Sequence, residues 1–443
     1  MFKDDIGIRR EDKNRWETRA PLTPEQAAEL HRNHKLSIVV QPSNIRVFHD
    51  ADYASAGCRV DSDLSGCRVV LGVKEMPVDF FQPGQAYAFF AHVLKGQRHN
   101  MGMLARMMQL GCHLIDYERI VDEKGRRLVF FGRFAGIAGM IDTLFGLGQR
   151  LLLAGFVTPL ARVKQALAYR DLESAKLAVG EVGRQISVDG LPRNLVPLVI
   201  GVAGYGNVAK GAIEILSTLG AVAVTPAELQ TLDEPDADRK VYFTVFREEH
   251  TVAPKDPGRV FDLEEYYRSP DQYRSVFERY LGFLTVLVNC IYWDRRYPRL
   301  VTKFWLREAW GRRENPRLIF IGDISCDIDG AIEATVRATD PGSPFYVYEP
   351  ATDSVREGLE GKGPTILAVD NLPCELPRDA SVEFGKALVP FVPDIARVDF
   401  SRPLEELPLP TPIRTALILH KGELTPGYGY VRNFLVTEGS NPV

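Results

Sequence analysis

Short apolar runs alternate with longer amphipathic stretches along the first third of the chain. The runs predict β-strands at residues 5–8, 36–40, 68–73, 86–90 and 128–131. After the first run, Thr23 can cap a helix, Pro24 suits its first position, and Gln26 completes a capping box. Strands that alternate with helices in this way indicate a parallel α/β sheet.

The alternation continues through the rest of the chain. Residues 132–153 carry glycine and alanine at helical spacing, which predicts a helix packed closely against a neighbouring element. A further helix is predicted at 172–186, and a buried strand at 196–203. Later strands are predicted at 318–322 and 365–369. The α/β pattern therefore extends over most of the sequence.

Length, charge and composition exclude several classes of protein. A chain of 443 residues is long enough for two large domains, and its formal net charge of −4 does not favour nucleic acid or an anionic membrane as partner. The most apolar region, 135–160, is interrupted by Asp142, Gln149 and Arg150, which predicts a buried helix and not a membrane span. The six cysteines lack CxxC spacing and the first residues lack a signal-peptide core, so we expect reduced thiols and a cytoplasmic protein.

A glycine motif follows the buried strand at 196–203. Residues 204–209 read Gly-Tyr-Gly-Asn-Val-Ala, which fits the GxGxxA dinucleotide-binding pattern at a strand-to-helix junction. Gly204 would form the tight turn, and Gly206 would let a pyrophosphate approach the backbone at the helix N-terminus. The neighbouring candidates for cofactor binding are Tyr205, Asn207 and Val208. The alternative is a βα turn with a purely structural role.

The residue that distinguishes NAD from NADP is expected at the end of the next strand, predicted at 221–224. Thr225 stands there, and Glu228 comes slightly later. Nothing at this position repels a 2′-phosphate, and no nearby arginine attracts one. The sequence therefore leaves both cofactors open, with NADP favoured.

Two residues with acid–base chemistry follow strands of the first third. Lys74 comes after the run 69–73, and His92 comes after 87–91. Functional groups in α/β sheets lie just past the carboxyl ends of strands, and burial or cationic neighbours can bring a lysine pKa towards neutrality. This placement favours proton transfer by both residues. The alternatives are a solvated lysine and a structural histidine.

Arginine and aspartate residues supply further candidates. Arg19, and either Arg126 or Arg127, can bind carboxylates through paired hydrogen bonds. Asp323 and Asp327 follow the strand at 318–322, but their spacing departs from that of a calcium loop, so we predict no metal site.

Seven segments, in order along nearly the whole chain, resemble one family: 9–24, 41–57, 87–97, 115–140, 204–212, 321–333 and 370–377. The first reads RREDKNRWETRAPLTP and the fifth GYGNVAKGA. They resemble the lysine–2-oxoglutarate reductase domain of the aminoadipate-semialdehyde synthases. That family belongs to the wider alanine dehydrogenase, transhydrogenase and saccharopine dehydrogenase superfamily.

The resemblance implies an α/β fold of two doubly wound, Rossmann-like domains with an active-site cleft between them. The substrate domain would comprise residues 1–135 and be completed by 331–443. The dinucleotide-binding domain would comprise residues 136–330 and bind NADP, with NAD as the alternative.

The resemblance also assigns roles to residues. Lys74 and His92 match the active-site lysine and histidine of the family, Arg19 matches an arginine that binds a substrate carboxylate, and Arg127 matches a second one. Asp327 matches an aspartate near the nicotinamide, with Asp323 as its rival.

The implied reaction joins L-lysine to 2-oxoglutarate and reduces the resulting imine to saccharopine. Animal and plant members fuse this domain to one that oxidises saccharopine. Because the sequence ends at Val443, we expect a separate saccharopine-oxidising enzyme as functional partner. The alternatives are reductive coupling of another amine or ammonia to an oxoacid, and a nucleotide-binding module without catalysis. The sequence does not predict the oligomeric state.

Overall fold

The computed structural model describes residues 3–232, 235–312 and 316–435. The chain divides into two compact units. The first unit comprises Met1–Phe131 and Pro377–Val443, and the second comprises Gly132–Leu376. Each unit is built on its own β-sheet.

The strands of the described residues are, in chain order, β1 (Asp4–Ile8), β2 (Ile38–Val40), β3 (Arg59–Val60), β4 (Cys67–Leu71), β5 (Ala86–Phe89), β6 (His113–Asp116), β7 (Leu198–Ala203), β8 (Val222–Ala223), β9 (Val241–Phe246), β10 (Val252–Pro254), β11 (Tyr273–Ser275), β12 (Val286–Asn289), β13 (Phe320–Asp323), β14 (Phe345–Glu349), β15 (Ser354–Glu357), β16 (Thr365–Leu367), β17 (Leu417–His420) and β18 (Glu423–Leu424).

The α-helices of the same residues are α1 (Pro24–His34), α2 (Asp50–Ser55), α3 (Arg98–Gln109), α4 (Gly132–Leu153), α5 (Leu172–Asp189), α6 (Asn207–Thr218), α7 (Glu248–Thr251), α8 (Leu263–Arg268), α9 (Glu278–Leu281), α10 (Lys303–Arg312), α11 (Pro377–Leu388), α12 (Val392–Arg397) and α13 (Thr411–Ala416). Among these described helices, none combines the length and the apolar character that a membrane span requires.

The sheet of the first unit has the order β18-β17-β6-β5-β4-β1-β2-β3. Strands β1 to β6 run parallel, and β17 is antiparallel to both β6 and β18. The carboxyl ends of β1, β4, β5 and β6 therefore meet at one edge of the sheet. The loops that leave this edge carry the candidate acid–base residues.

Local predictions in the first unit are confirmed with one exception. Thr23 and Gln26 form the predicted capping box at α1, with Gln26 N–H donating to Thr23 Oγ1 at 3.3 Å. The strand predicted at 128–131 is wrong, and the strand next to β5 is β6, which the apolar pattern missed. Just before the segment predicted as a strand, Arg127 forms an isolated β-bridge with Val121. Phe131 stacks on Phe384, with ring centroids 4.3 Å apart.

The sheet of the second unit has the order β15-β14-β16-β13-β12-β7-β9-β8. Strands β8, β9, β7, β12, β13 and β16 run parallel, and β14 and β15 form an antiparallel edge. The predicted α/β class with two Rossmann-like parallel sheets is confirmed. The strand after α6, however, does not lie beside β7, since β9 is inserted between β7 and β8.

The predicted return of the chain to the first unit at residue 331 is wrong. Strand β16 pairs with β13 and β14 pairs with β16, so residues 331–376 complete the second sheet. The return occurs at Pro377, the first residue of α11. The first crossing lies at Gly132, close to the predicted boundary at 135.

The close helix packing predicted for residues 132–153 is confirmed. Helix α4 packs on α6 at two glycines. A Cβ atom on Gly136 would lie 1.8 Å from the carbonyl oxygen of Val208, and one on Gly211 would lie 2.0 Å from that of Arg133. Only glycine permits this backbone approach, which anchors α6 below the glycine motif.

Candidate functional site

His92 and Glu75 form a hydrogen-bonded pair at the carboxyl edge of the first sheet. Glu75 lies four residues after β4, and His92 lies three residues after the adjacent strand β5. His92 Nδ1 is 2.6 Å from Glu75 Oε1. The carboxylate therefore orients the imidazole ring and can stabilise a proton on it, as in catalytic histidine–carboxylate pairs.

The backbone of His92 is held in the left-handed region, with a φ of +48°. Few residues other than glycine adopt this conformation, and it often marks a functional position. Asn100 stabilises it, because Asn100 Nδ2 donates to the carbonyl oxygens of Ala91 and His92 at 3.2 Å and to Glu75 Oε1 at 3.3 Å. The His92 ring also stacks against Phe90.

Glu75 is ionised at neutral pH. Burial by itself would raise the pKa of Glu75, but the hydrogen bond and charge of His92 and the charge of Lys13 hold it well below its ordinary value. Lys13 Nζ lies 3.0 Å from Glu75 Oε2. The candidate site thus contains a fixed negative charge that the sequence motifs had not singled out.

Lys74 lies beside this pair and is itself half-buried. Its backbone N–H donates to Glu11 Oε2 at 3.0 Å. Burial lowers the pKa of Lys74 from its ordinary value of 10.5, and the charges of Arg19 and Lys13 lower it further, against the opposing charges of Glu17 and Glu75. The neutral amine, which can accept a proton, is therefore accessible at lower pH than in a solvated lysine.

Two buried carboxyl groups border the cluster. Burial and the nearby Glu17 raise the pKa of Glu11 to about 7, and burial with Glu118 raises the pKa of Asp116 to about 7. Asp116 Oδ2 has no hydrogen-bond partner among the described residues. The sequence signal for both was available, since Asp116 ends β6 and Glu11 follows β1 by three residues, but neither lies in an informative motif.

Arg19 is buried against a carboxylate of its own chain. Its Nε and Nη2 atoms donate to the two carboxylate oxygens of Glu17 at 2.7 and 2.5 Å, and its guanidinium lies 4.1 Å from the ring centroid of Phe131. The structure thus brings Arg19 and Lys74 into electrostatic contact, as expected for one site. Binding of a substrate carboxylate by Arg19 stays a prediction, and Glu17 is its carboxylate partner here.

Arg126 and Arg127 lie on the turn after β6 and are more than half exposed. Arg127 Nη2 donates to Glu118 Oε1 at 3.2 Å, and Arg126 Nε donates to Asp122 Oδ2 at 2.7 Å. Within the described residues, neither arginine forms a hydrogen bond or ion pair with Lys74, Glu75 or His92. Their roles stay predictions.

The glycine motif adopts the predicted strand–turn–helix geometry in the second unit. Gly204 follows the buried strand β7 with a φ of +103°, and a Cβ atom there would lie 3.2 Å from the carbonyl oxygen of Cys290. Gly206 caps α6 without a side chain, and no atom lies within 4 Å of the position of its Cβ. Asn207 and Val208 form the first turn of α6. This open cradle fits a dinucleotide pyrophosphate at a helix N-terminus.

A cavity of about 390 Å³ adjoins the glycine turn. It is formed by the residues that follow three adjacent strands, β7, β9 and β12, and by tyrosines from α8. Its lining includes Gly204, Tyr205, Gly206, Phe246, Arg247, Glu248, Tyr266, Tyr267, Cys290 and Ile291. The volume is in the range of small-molecule sites, and the location is where dinucleotides bind in such sheets.

Thr225 does not line this cavity. It follows the outer strand β8, and its backbone N–H and hydroxyl both donate to Glu228 Oε2, at 2.6 and 2.8 Å. These bonds close a local turn. Strand β8 is separated from β7 by β9, so Thr225 does not lie beside the glycine turn, and ribose contact at Thr225 stays a prediction.

Asp323 and Asp327 have different environments. Asp323 ends β13 and is fully buried, where its carboxylate accepts hydrogen bonds from Asn289 at 2.8 Å and from Thr335 at 2.5 Å. Burial raises the pKa of Asp323 to about 6. Asp327 lies in the following loop and is partly exposed, next to Cys326 with a φ of +53°. Of the two, Asp327 is the better candidate for a cofactor contact.

No group of three or more His, Cys, Asp or Glu side chains in residues 3–232, 235–312 and 316–435 is arranged to hold a metal ion.

One family model matches the N-terminal part of the chain. Residues 7–138 match the family described as "Alanine dehydrogenase/PNT, N-terminal domain". These residues correspond closely to the first segment of the first unit, which carries Lys74 and His92.

Several curated proteins are similar to nearly the whole chain. An Alpha-aminoadipic semialdehyde synthase from Arabidopsis thaliana is 39% identical over 96% of this chain, and one from Bos taurus, described as mitochondrial, is 36% identical over 96%. The chain spans less than half of these relatives, 41% and 47% of their lengths. A Saccharopine dehydrogenase [NAD(+), L-lysine-forming] from Emericella nidulans is 25% identical, with 88% of this chain and 92% of that protein aligned.

Solved structures with the same fold include an L-alanine dehydrogenase, with a TM-score of 0.62, 19% identity and coverage of 97% of this chain and 99% of that one. A transhydrogenase from Sinorhizobium meliloti has a TM-score of 0.57 at 16% identity, covering 95% of this chain and 99% of that one. The chain is therefore similar, over nearly its whole length, to part of the alpha-aminoadipic semialdehyde synthases, as its motifs predicted, and it has the fold of L-alanine dehydrogenase.

Proposed function

We propose that this chain is an oxidoreductase that condenses L-lysine with 2-oxoglutarate and reduces the imine to saccharopine, with NADPH as the favoured cofactor and NADH as the alternative. The observation that carries the proposal is the cluster in the first unit, where a lysine of lowered pKa lies beside a histidine–carboxylate pair. The glycine cradle of the second unit supplies a nucleotide site. The substrate class comes from the names of the homologous synthases and saccharopine dehydrogenases.

The first chemical step requires a base. The ε-ammonium of free lysine has a pKa of about 10.4 and must lose a proton before its nitrogen can attack the oxoacid carbonyl. Lys74 is suited to take that proton, because burial and neighbouring cations favour its neutral form. The new C–N bond gives a carbinolamine, which then loses its hydroxyl group as water when a proton is delivered to the oxygen.

His92 is the second proton carrier of the proposal. Its Nδ1 atom is hydrogen-bonded to Glu75, so Nε2 is the ring atom that we assign to proton exchange with the substrate. Together, Lys74 and His92 can accept the ammonium proton and return one to the leaving hydroxyl group, so that the protons balance. Arg19 and Arg127 are the proposed partners of the oxoacid carboxylates.

The cofactor supplies the reducing equivalent, a hydride that the imine carbon accepts to give the secondary amine. In the second unit, Gly204 and Gly206 shape the cradle, and the backbone amides of Asn207 and Val208, at the start of α6, would hold the pyrophosphate of the cofactor. Asp327, in the loop after β13, is the proposed contact near the nicotinamide.

Oxidation of NADPH in the presence of both lysine and 2-oxoglutarate tests this proposal. Activity should require both substrates, and lysine should give a higher kcat/KM than ammonia or other amines. Lys74→Met and His92→Gln should each lower kcat by about 10²–10⁴-fold, the usual contribution of general acid–base catalysis. The exposed residues Lys386 and His99 provide matched controls, as Lys386→Met and His99→Gln.

Near-native turnover in both Lys74→Met and His92→Gln would eliminate the proposed roles. A higher kcat/KM with another amine would instead retain the chemistry and change the substrate.

A further inference from the structure

The order of strands in the second sheet places a different residue from Thr225 at the position expected for ribose contact. Strand β9, not β8, lies beside β7, and the last residues of the two strands, Ala203 and Phe246, are paired. Gly204 N–H then donates to the carbonyl oxygen of Phe246 at 2.9 Å. The residue after β9, Arg247, therefore occupies the position next to the glycine turn.

The register excludes Thr225 from the same position. In β8, Ala223 pairs with Phe243, three residues before the end of β9. Thr225 is thus two strand spacings from β7, about 9–10 Å, and lies short of the edge that carries the glycine turn. In dinucleotide-binding sheets, the residue that contacts the adenosine ribose follows the strand adjacent to the first one.

Arg247 carries a cation at the rim of the cavity. Its guanidinium lies 5.0 Å from the ring centroid of Tyr205, the residue between the two glycines, and its side chain is exposed. It forms no ion pair with an acidic side chain within the part of the chain that the structure describes. The neighbouring carboxylate of Glu248 instead accepts from the Tyr267 hydroxyl at 2.5 Å and lies 3.5 Å from that of Tyr205.

Resting on the proposed dinucleotide-binding function, we infer that Arg247 binds the 2′-phosphate of the adenosine ribose and makes this chain selective for NADP(H). The guanidinium matches a phosphate in charge and geometry, and arginine is the residue that accommodates this group in NADP-binding sheets. Glu248, held by two tyrosine hydroxyls, shapes the rim beside it. The sequence could not indicate Arg247, because it lies 22 residues beyond Thr225.

Binding of 2′,5′-ADP and 5′-AMP, measured by calorimetry on the full chain, isolates the 2′-phosphate as the only difference between two ligands. Arg247→Gln should weaken binding of 2′,5′-ADP by about ten- to a hundred-fold, the worth of a charged hydrogen bond, and change binding of 5′-AMP less than twofold. The native preference for 2′,5′-ADP should also decrease with added salt, because the arginine is exposed. Arg274→Gln, at an exposed arginine of β11, should leave both affinities unchanged.

Equal weakening of both ligands in Arg247→Gln would overturn the inference. A selective loss of 2′,5′-ADP binding in Thr225→Ala would also overturn it. The inference would also fail if native protein bound 5′-AMP as tightly as 2′,5′-ADP and lost its 5′-AMP binding in Glu248→Gln. If native protein binds neither ligand, and neither NADPH nor NADH, the proposed function fails together with the inference. If native protein binds these ligands and Arg247→Gln leaves its preference for 2′,5′-ADP unchanged, the inference fails and the proposed function does not.

Discussion

Lys74 shows how the chemistry of one residue depends on groups distant in the sequence. Burial and the charges of Arg19 and Lys13 lower its pKa, while the carboxylates of Glu17 and Glu75 oppose them. Three of these four charges come from the loop after β1, and only Glu75 is adjacent to Lys74 in the chain. The acid–base behaviour of the site is therefore a property of two loops together.

Glu75→Gln is expected to move the pH dependence assigned to Lys74 to lower pH. The substitution removes a negative charge that raises the pKa of Lys74, so the neutral amine should form at lower pH than in the native protein. Loss of the carboxylate that orients His92 should also lower kcat by about 10–10²-fold. The shift is measured in the profile of kcat/KM against pH. Lys74→Met should abolish the limb of this profile that is assigned to Lys74.

Lys13→Gln provides the control with the opposite sign. Lys13 lowers the pKa of Lys74, so its removal should move the same limb to higher pH, by a small amount because Lys13 is partly exposed. Shifts in the same direction for both variants would contradict the assignment of this limb to Lys74.

At the level of elements, the glycines of α4 and α6 set the position of the nucleotide cradle. Gly136 and Gly211 let the two helix backbones touch, and α6 begins directly after the turn at Gly206. Small residues at this contact therefore serve the site indirectly, by fixing the helix whose N-terminus faces the cavity.

Gly136→Ala should destabilise the protein despite a gain in helix propensity. Alanine is favoured over glycine within a helix by about 1 kcal/mol, but the added Cβ would overlap the carbonyl oxygen of Val208, a main-chain atom that cannot rotate away. We expect overpacking to prevail, with a net loss of about 1–3 kcal/mol in the free energy of unfolding. Urea unfolding measures the change.

Gly102→Ala is the matched control in α3. No atom lies within 4 Å of its Cβ position, so this variant should gain about 0.5–1 kcal/mol. Equal effects of the two substitutions would show that helix propensity, and not the contact with α6, determines the result.

A pair of buried carboxyl groups joins α4 to the end of the second unit. Asp142 of α4 and Glu375 are both buried, and Asp142 Oδ2 and Glu375 Oε1 have no hydrogen-bond partner among the described residues. Burial raises the pKa of Asp142 to about 7, and burial with the charge of Asp142 raises the pKa of Glu375 well above its ordinary value. A proton shared between the two carboxyls would satisfy both atoms.

Glu375→Gln should reduce the loss of stability that this pair causes as pH rises. The folded pair keeps a proton that the unfolded carboxyls release near their ordinary pKa values of 3.8 and 4.5. The contribution of the pair to stability is therefore complete below that pH range and is lost as the pH rises towards 7. Urea unfolding at several pH values from 5 to 8 should show the variant gaining stability relative to native protein with increasing pH. The exposed Glu123→Gln should track native protein, and parallel curves for Glu375→Gln would contradict the shared proton.

For the whole molecule, acid–base residues and nucleotide cradle belong to different units, since Lys74 lies in the first and the residues around the cavity lie in the second. Ligand binding and chemistry should therefore be separable by substitution. Any ligand that binds only folded protein stabilises the chain by mass action.

Gly206→Val should abolish the stabilisation by NADPH, whereas Lys74→Met should retain it. At a hundredfold excess over Kd, NADPH should stabilise native protein by about 2.7 kcal/mol and raise its thermal midpoint. No atom lies within 4 Å of the Cβ position at Gly206, so the midpoint without NADPH should change little, but the valine side chain would occupy the open cradle. A normal NADPH response in Gly206→Val, or its loss in Lys74→Met, would contradict the separation.

The sequence by itself determined the features that depend on a few adjacent residues. The capping box at Thr23, the glycine turn at Gly204 and the long helix α4 follow from local propensity and spacing, and the structure has each of them where it was predicted. The placement of Lys74 and His92 after strands also followed from the pattern of apolar runs.

Only the tertiary structure decided which of these local pieces are neighbours. The insertion of β9 between β7 and β8 replaced Thr225 by Arg247 beside the glycine turn, and the pairing of β16 with β13 moved the return of the chain to Pro377. The buried ion pair between Arg19 and Glu17 is likewise a feature of the tertiary structure. Strand order and burial depend on contacts between residues far apart in the chain, and the periodicity of a single segment contains no information on which distant segment it will pair with.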